Sequence, residues 1–213
     1  MTSNGNLPIT AHEIRNLQSA AESEAGLQRM LKFKRGEFMF GDEYVDLGTE
    51  YVAHPVGWTK VWVKFVNKQF IERRVFRVIS SPNIPDRSEL GDMDSSKWGP
   101  GLQGEHSDPW TLQNMLPLED PQTGEIVVFY TPSRGGQIAV AELCGTYSRR
   151  YSRDSTCGLP VVSLQTTKMK TGQYGLVDRP VFKIERWAKG SGEQVREIEA
   201  PTTSSDMDDD IPF

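Results

Sequence analysis

Lys60, Trp62 and Lys64 alternate with Val61, Val63 and Phe65. On an extended strand this alternation sends the two lysines and the indole to one face and the apolar set to the other. A ring flanked by cations suits a chain of phosphates with stackable bases. Asn67-Lys68 reads as a tight turn into a second strand, Phe70 to Ile79, dense in Arg73, Arg74 and Arg77. Lys68, Arg73 and Arg77 then extend the basic patch. The same pattern also describes a plain amphipathic strand, with its tryptophan packed under a loop and its lysines solvated.

Arg149, Arg150, Tyr151 and Arg153 form a second basic-aromatic cluster. Its plainer reading is the C-terminal turn of a helix, where the macrodipole favours cations. Ser133-Arg134-Gly135-Gly136 stands just before that helix. Its backbone can form an anion nest, with Arg134 adding charge, or it can be a simple strand-to-helix turn. It lacks the Lys-Ser/Thr of a nucleotide-binding phosphate loop. Trp98, Trp110 and Trp187 read as core or loop anchors.

Catalytic arrangements are not readable. Asp92 and Asp94 sit in a loop without convincing partners, and Pro85-Asp86 is not followed by an acid-x-Lys strand, as a metal-dependent nuclease would need. His12, His54 and His106 are scattered, far from zinc-ligand spacing. The chain therefore reads as non-enzymatic, with no cofactor and no metal. Cys144 and Cys157 suit a reducing compartment.

The elements that must carry these residues are mostly strands. Glu37–Phe40, Tyr51–His54, Lys60–Val66, Phe70–Ile79, Ile126–Thr131, Pro160–Thr166 and Val181–Trp187 have strand character. One helix is predicted from about Gln137 to Arg150, with a stripe of Val140, Leu143, Tyr147 and Tyr151. A second is predicted near the start, where Thr10-Ala11-His12-Glu13 is a capping box and Gly26 a stop. Residues 80–118, rich in proline and glycine, read as a long irregular insertion. The expectation is a mainly β (α+β) protein with an embedded helix, a long loop insertion and a disordered acidic tail; the strand count is compatible with several small β folds. Its parts are residues 1–26 as an arm and helix, 27–190 as the binding domain, and 191–213 as the tail.

The chain has 213 residues, 37% of them hydrophobic, and a net charge of −5. The average hides an asymmetry. Residues 191–213 hold seven acids and one base, a charge of −6, which leaves +1 on residues 1–190. A near-neutral body does not exclude a nucleic-acid face; local clustering decides. The longest apolar run, Ile126–Tyr130, cannot span a bilayer. Residues 1–6 lack the basic and apolar stretches of a signal peptide, so the reading is cytoplasmic.

The chain ends Asp208-Asp209-Asp210-Ile211-Pro212-Phe213. Solubility asks for the aspartates but not for the apolar residues after them. Ile211 and Phe213 can fill a small pocket, Pro212 limits the entropy lost on docking, and the aspartates can lie along a basic rim. This sequence resembles the acidic C-terminal tip of bacterial single-stranded DNA-binding proteins. In that family an OB-fold body coats single-stranded DNA and the tip recruits replication, recombination and repair enzymes. The body is more similar to uncharacterised tailed-bacteriophage proteins, in stretches such as Leu47-Gly48-Thr49-Glu50-Tyr51-Val52-Ala53 and Glu89-Leu90-Gly91-Asp92. The resemblance implies a phage-type or plasmid-type single-stranded DNA-binding protein with an OB-like antiparallel barrel, acting in the cytoplasm of a bacterial host and compatible with a homo-oligomer, whose partners are single-stranded DNA and host or phage enzymes. Two rivals stand beside it. One is an adaptor or inhibitor that borrows the tip without binding DNA; the other is an annealing protein of recombination.

Overall fold

The computed structural model describes residues 29–81, 83–99, 107–172 and 175–188. Within them lie ten strands: β1 (Met30–Lys34), β2 (Glu37–Phe40), β3 (Glu43–Val45), β4 (Glu50–Ala53), β5 (Thr59–Val66), β6 (Gln69–Arg77), β7 (Trp110–Glu119), β8 (Ile126–Thr131), β9 (Leu159–Thr171) and β10 (Gly175–Ala188). One α-helix, α1 (Arg134–Arg153), connects β8 to β9. The protein is mainly β with a single helix, and its strands form one curled, open sheet, a half-barrel.

The sheet is organised around β7. Along one edge of β7 lie β4, opposite Leu118 and Glu119, and β5, opposite Trp110 to Met115. Along the other edge lies β8. The break between β4 and β5 is a short 3-10 turn, Pro55–Gly57. Pro55 cannot donate to a ladder. Gly57 is needed because a Cβ there would come 2.8 Å from the Pro117 ring. From β4 the sheet continues to β9 and β10; from β8 it continues to β1, β2 and β3. Every pairing is antiparallel except β1 with β8.

The helix lies against β10, β7 and β9. Ala139, Val140, Leu143 and Cys144 bury one stripe of it among Leu31, Phe38, Leu116, Phe129 and Leu164. Phe129 and Phe182 meet edge to face with centroids 4.9 Å apart. Ser133 caps the helix by accepting the Gly136 N–H. On the other side of the sheet Val61, Val63, Met115 and Val128 form a second cluster with Phe65 and Tyr130.

Several elements match the sequence reading. β2 and β8 fall where expected, and Asn67 and Lys68 both take positive φ, 51° and 63°, as a two-residue hairpin turn requires. The helix is longer than predicted, by the turn around Arg134 and by Arg153. The largest departure is β7, inside the stretch read as irregular. Gln113, Asn114 and Pro117 look like loop residues, but tertiary partners hold them in a strand. The Pro117 carbonyl accepts the His54 N–H at 3.0 Å, and the Asn114 side-chain oxygen accepts the Trp58 indole N–H at 2.8 Å. β1 and β3 were also not foreseen as separate strands. The predicted N-terminal helix and the acidic tail lie outside the described residues.

Candidate nucleic-acid interface

The alternation in β5 holds. Val61 and Val63 are buried on one face and Trp62 points to the other. Its consequence differs from the expectation. Trp62 is only 8% exposed, packed against Leu90 and Trp110, and its indole N–H donates to the Pro85 carbonyl at 2.9 Å. Residues 85–92 cover the ring, so it offers no face to a stacked base. The plainer alternative, a tryptophan under a loop, is the one observed.

The lysines beside it are also engaged. Lys64 Nζ lies 2.8 Å from Asp92 Oδ2 and 5.7 Å from the centre of the Trp110 ring. Arg74 lies 4.9 Å from the same ring centre, so one indole carries two cations. Asp92 also accepts the Trp110 indole N–H at 2.9 Å. The hydrogen bond from Lys64, then that from Trp110, hold its carboxyl below the usual range. Lys60 lies 5.4 Å from the centre of the Trp58 ring.

Arg73 and Arg77 do not extend this patch. Their partners across the ladder are Val63 and Thr59, so they share the face opposite Trp62. The residue that does share it is Arg74, opposite Trp62. Lys68 is exposed in the hairpin turn. A 360 Å³ cavity opens at the end of β5, lined by Lys64, Phe65, Met93, Trp98 and Pro109 among others. Its cations are neutralised in place: Lys64 by Asp92, and Lys97 by Asp94 at 3.2 Å.

The second cluster is differently placed. At the end of α1 the apolar stripe runs past the core, so Tyr147 is half-buried and Tyr151 is 50% exposed. Tyr147 stacks on Trp187 of β10, with centroids 6.4 Å apart and planes 22° from parallel, and meets Tyr151 at 5.8 Å. Arg150 covers the same indole at 5.5 Å. Arg149, Arg150 and Arg153 are all exposed. Among the described residues none of the three has a carboxylate within ion-pair distance; Arg149 donates only to the Thr146 hydroxyl, at 3.0 Å. Of the acids, Asp154 accepts from Thr156 and also feels the charge of Arg150, Glu185 accepts from Ser163 and Lys183, and Glu50 accepts from Arg186.

Trp187 joins a site that sequence reasoning did not assign to it. A register shift in β10 between Ile184 and Arg186 precedes it and re-aims the strand end. No local pattern announces that the end of β10 meets the end of α1.

Arg134 is exposed at the far end of the helix, about 30 Å from Arg153 by helical rise. The loop before it is not an anion nest. The Gly136 N–H is used by Ser133 Oγ and the Gln137 N–H by the Ser133 carbonyl. Gly135 is there for packing: a Cβ on it would come 2.8 Å from Arg179 Cβ.

Among the described residues, no group of three or more His, Cys, Asp or Glu is placed to hold a metal, and no helix is long and apolar enough to cross a membrane. The tip, Asp208 to Phe213, lies outside them. No family model, no curated protein and no solved structure matches this chain.

Proposed function

We propose that this protein binds single-stranded DNA through Arg149, Arg150, Tyr151 and Arg153 together with Trp187, and that the tip Asp208–Phe213 recruits replication, recombination and repair enzymes. The observation that carries the first part is the cluster of Arg150, Trp187 and Tyr147, flanked by exposed arginines that form no ion pair among the described residues. Arginines can follow phosphates, and an aromatic stack continues naturally into an unpaired base. A duplex keeps its bases stacked on each other and gains less from such rings. The curled, mostly antiparallel sheet supports a barrel-like frame for this role, with the binding surface at the end of the helix and not on β5.

The test is tryptophan quenching by oligo-thymidine across a salt series, with duplex DNA as competitor. Binding that weakens with salt is expected. Replacing Arg149, Arg150 and Arg153 together by Ala should reduce the salt slope by roughly 2, since each single-strand phosphate contact contributes about 0.7. Failure to bind oligo-thymidine in dilute buffer overturns the reading, and the tip would then act without DNA.

A further inference from the structure

We propose that β6 is a self-pairing edge, through which two copies of this chain join their sheets antiparallel about a two-fold axis. Among the described residues β6 pairs with β5 alone, so its outer edge carries unmatched backbone donors and acceptors. Exposed apolar side chains concentrate there. Of the ten large hydrophobic residues exposed among the described residues, five are Val66, Phe70, Ile71, Val75 and Ile79, all on β6 or beside it. Ile71 is 52% exposed and Val75 41%. β6 is nine residues long and holds no proline; what guards it is a bulge at Ile71 and the charges of Glu72, Arg73, Arg74 and Arg77. Its one irregularity, at Ile71, leaves Glu72 to Arg77 in regular pairing with β5.

The occupant follows from the order of side chains. A two-fold axis normal to the sheet keeps each side chain on its own face, so the axis must pass through a residue. An axis at Arg74 sets Glu72 against Phe76, and an axis at Val75 sets Arg73 against Arg77. An axis at Arg73 sets Glu72 against Arg74 of the second copy, twice over by symmetry, and brings the bulged Ile71 level with its Val75. Cross-strand apolar and opposite-charge pairs are the units that stabilise a sheet, and like charges directly opposite oppose it. In the Arg73 register the sole like-charge contact is Arg73 with its own copy. Glu72 and Arg74 already stand together within one chain, 2.7 Å apart, on the face opposite Val63. The two-fold brings two such pairs side by side with alternating sign.

Sedimentation equilibrium of the full chain, over a wide micromolar range, tests this. A monomer–dimer equilibrium is expected. Ile71→Lys with Val75→Lys should give a monomer with an unchanged circular dichroism spectrum, because both positions are exposed. Glu72→Arg alone and Arg74→Glu alone should each be monomeric, and an equimolar mixture of the two should dimerise again, since only the mixed pair sets opposite charges across the axis. A full chain that is monomeric at all concentrations overturns the proposal, as does a mixture that does not associate. So does a dimer that forms only once residues 191–213 are removed, which would assign the edge to the chain's own tail.

Discussion

The Arg150 guanidinium lies over the indole of Trp187, 5.5 Å from the ring centre, although one belongs to the helix and the other to the last strand. This contact turns a charged helix end into a charged and aromatic surface. Trp187→Ala should therefore weaken oligo-thymidine binding by about 1–3 kcal/mol, the range for loss of one base-stacking ring. Fluorescence anisotropy of a labelled oligonucleotide gives the affinity. In the same variant the quenching of intrinsic fluorescence should largely disappear, although the four other tryptophans remain. Quenching that survives would place the bases elsewhere.

Trp62→Ala should behave in the opposite way. The ring is buried against Leu90 and Trp110, and removing it leaves a cavity and an orphaned Pro85 carbonyl. A loss of about 3–5 kcal/mol of stability is expected. Denaturant unfolding measures it, while the affinity of the folded fraction for oligo-thymidine should stay unchanged.

Asp92 links Lys64 and Trp110, and their hydrogen bonds lower its pKa. A carboxyl held low in the folded state stabilises fully above its unfolded value, about 4, and loses that contribution as the pH falls through the lower folded value. Asp92→Asn should reduce stability at neutral pH and flatten its dependence on pH below about 4. Thermal melts of both forms across the acid range show whether the two curves converge there.

Both cysteines are free and buried, and burial pushes the Cys144 thiol up to about 12. At mildly alkaline pH it stays protonated and covered, and thiolate is the reactive form. A colorimetric thiol assay on the native protein should find neither cysteine reacting promptly, and both should react in denaturant. Rapid reaction of the native protein would contradict the packing of α1 on the sheet.

Removing Ser205 to Phe213 deletes four of the seven acids of the tail. Tethering keeps that charge at high local concentration near the arginines, and salt screens it. The truncated chain should bind oligo-thymidine more tightly, with the largest gain at low ionic strength. Equal affinities in dilute buffer would show that tail and DNA do not compete.

Much of the secondary structure could be read along the chain because the signals are local. Alternation in Val61-Trp62-Val63 fixed which residues share a face, and the Asn67-Lys68 turn joined two strands. β7 escaped because its local signals are contrary: a proline and two amides mark a loop, and only contacts with His54 and Trp58 reverse that. On β6 the error was one of parity. Arg73 and Arg77 were expected to share the Trp62 face, but the hairpin register gives that place to Arg74.

From sequence alone came the positions of most strands, the helix, the cationic turn at its end, and the acidic segment that finishes in Ile-Pro-Phe. These depend on neighbours within a few residues, where periodicity and charge can be counted directly. The fold decided which aromatic rings are open and which arginines form an ion pair. It buried Trp62 beneath residues 85–92 and set Trp187 against Tyr147 and Arg150. Exposure and ion pairing depend on what packs from distant parts of the chain, and no local pattern encodes that.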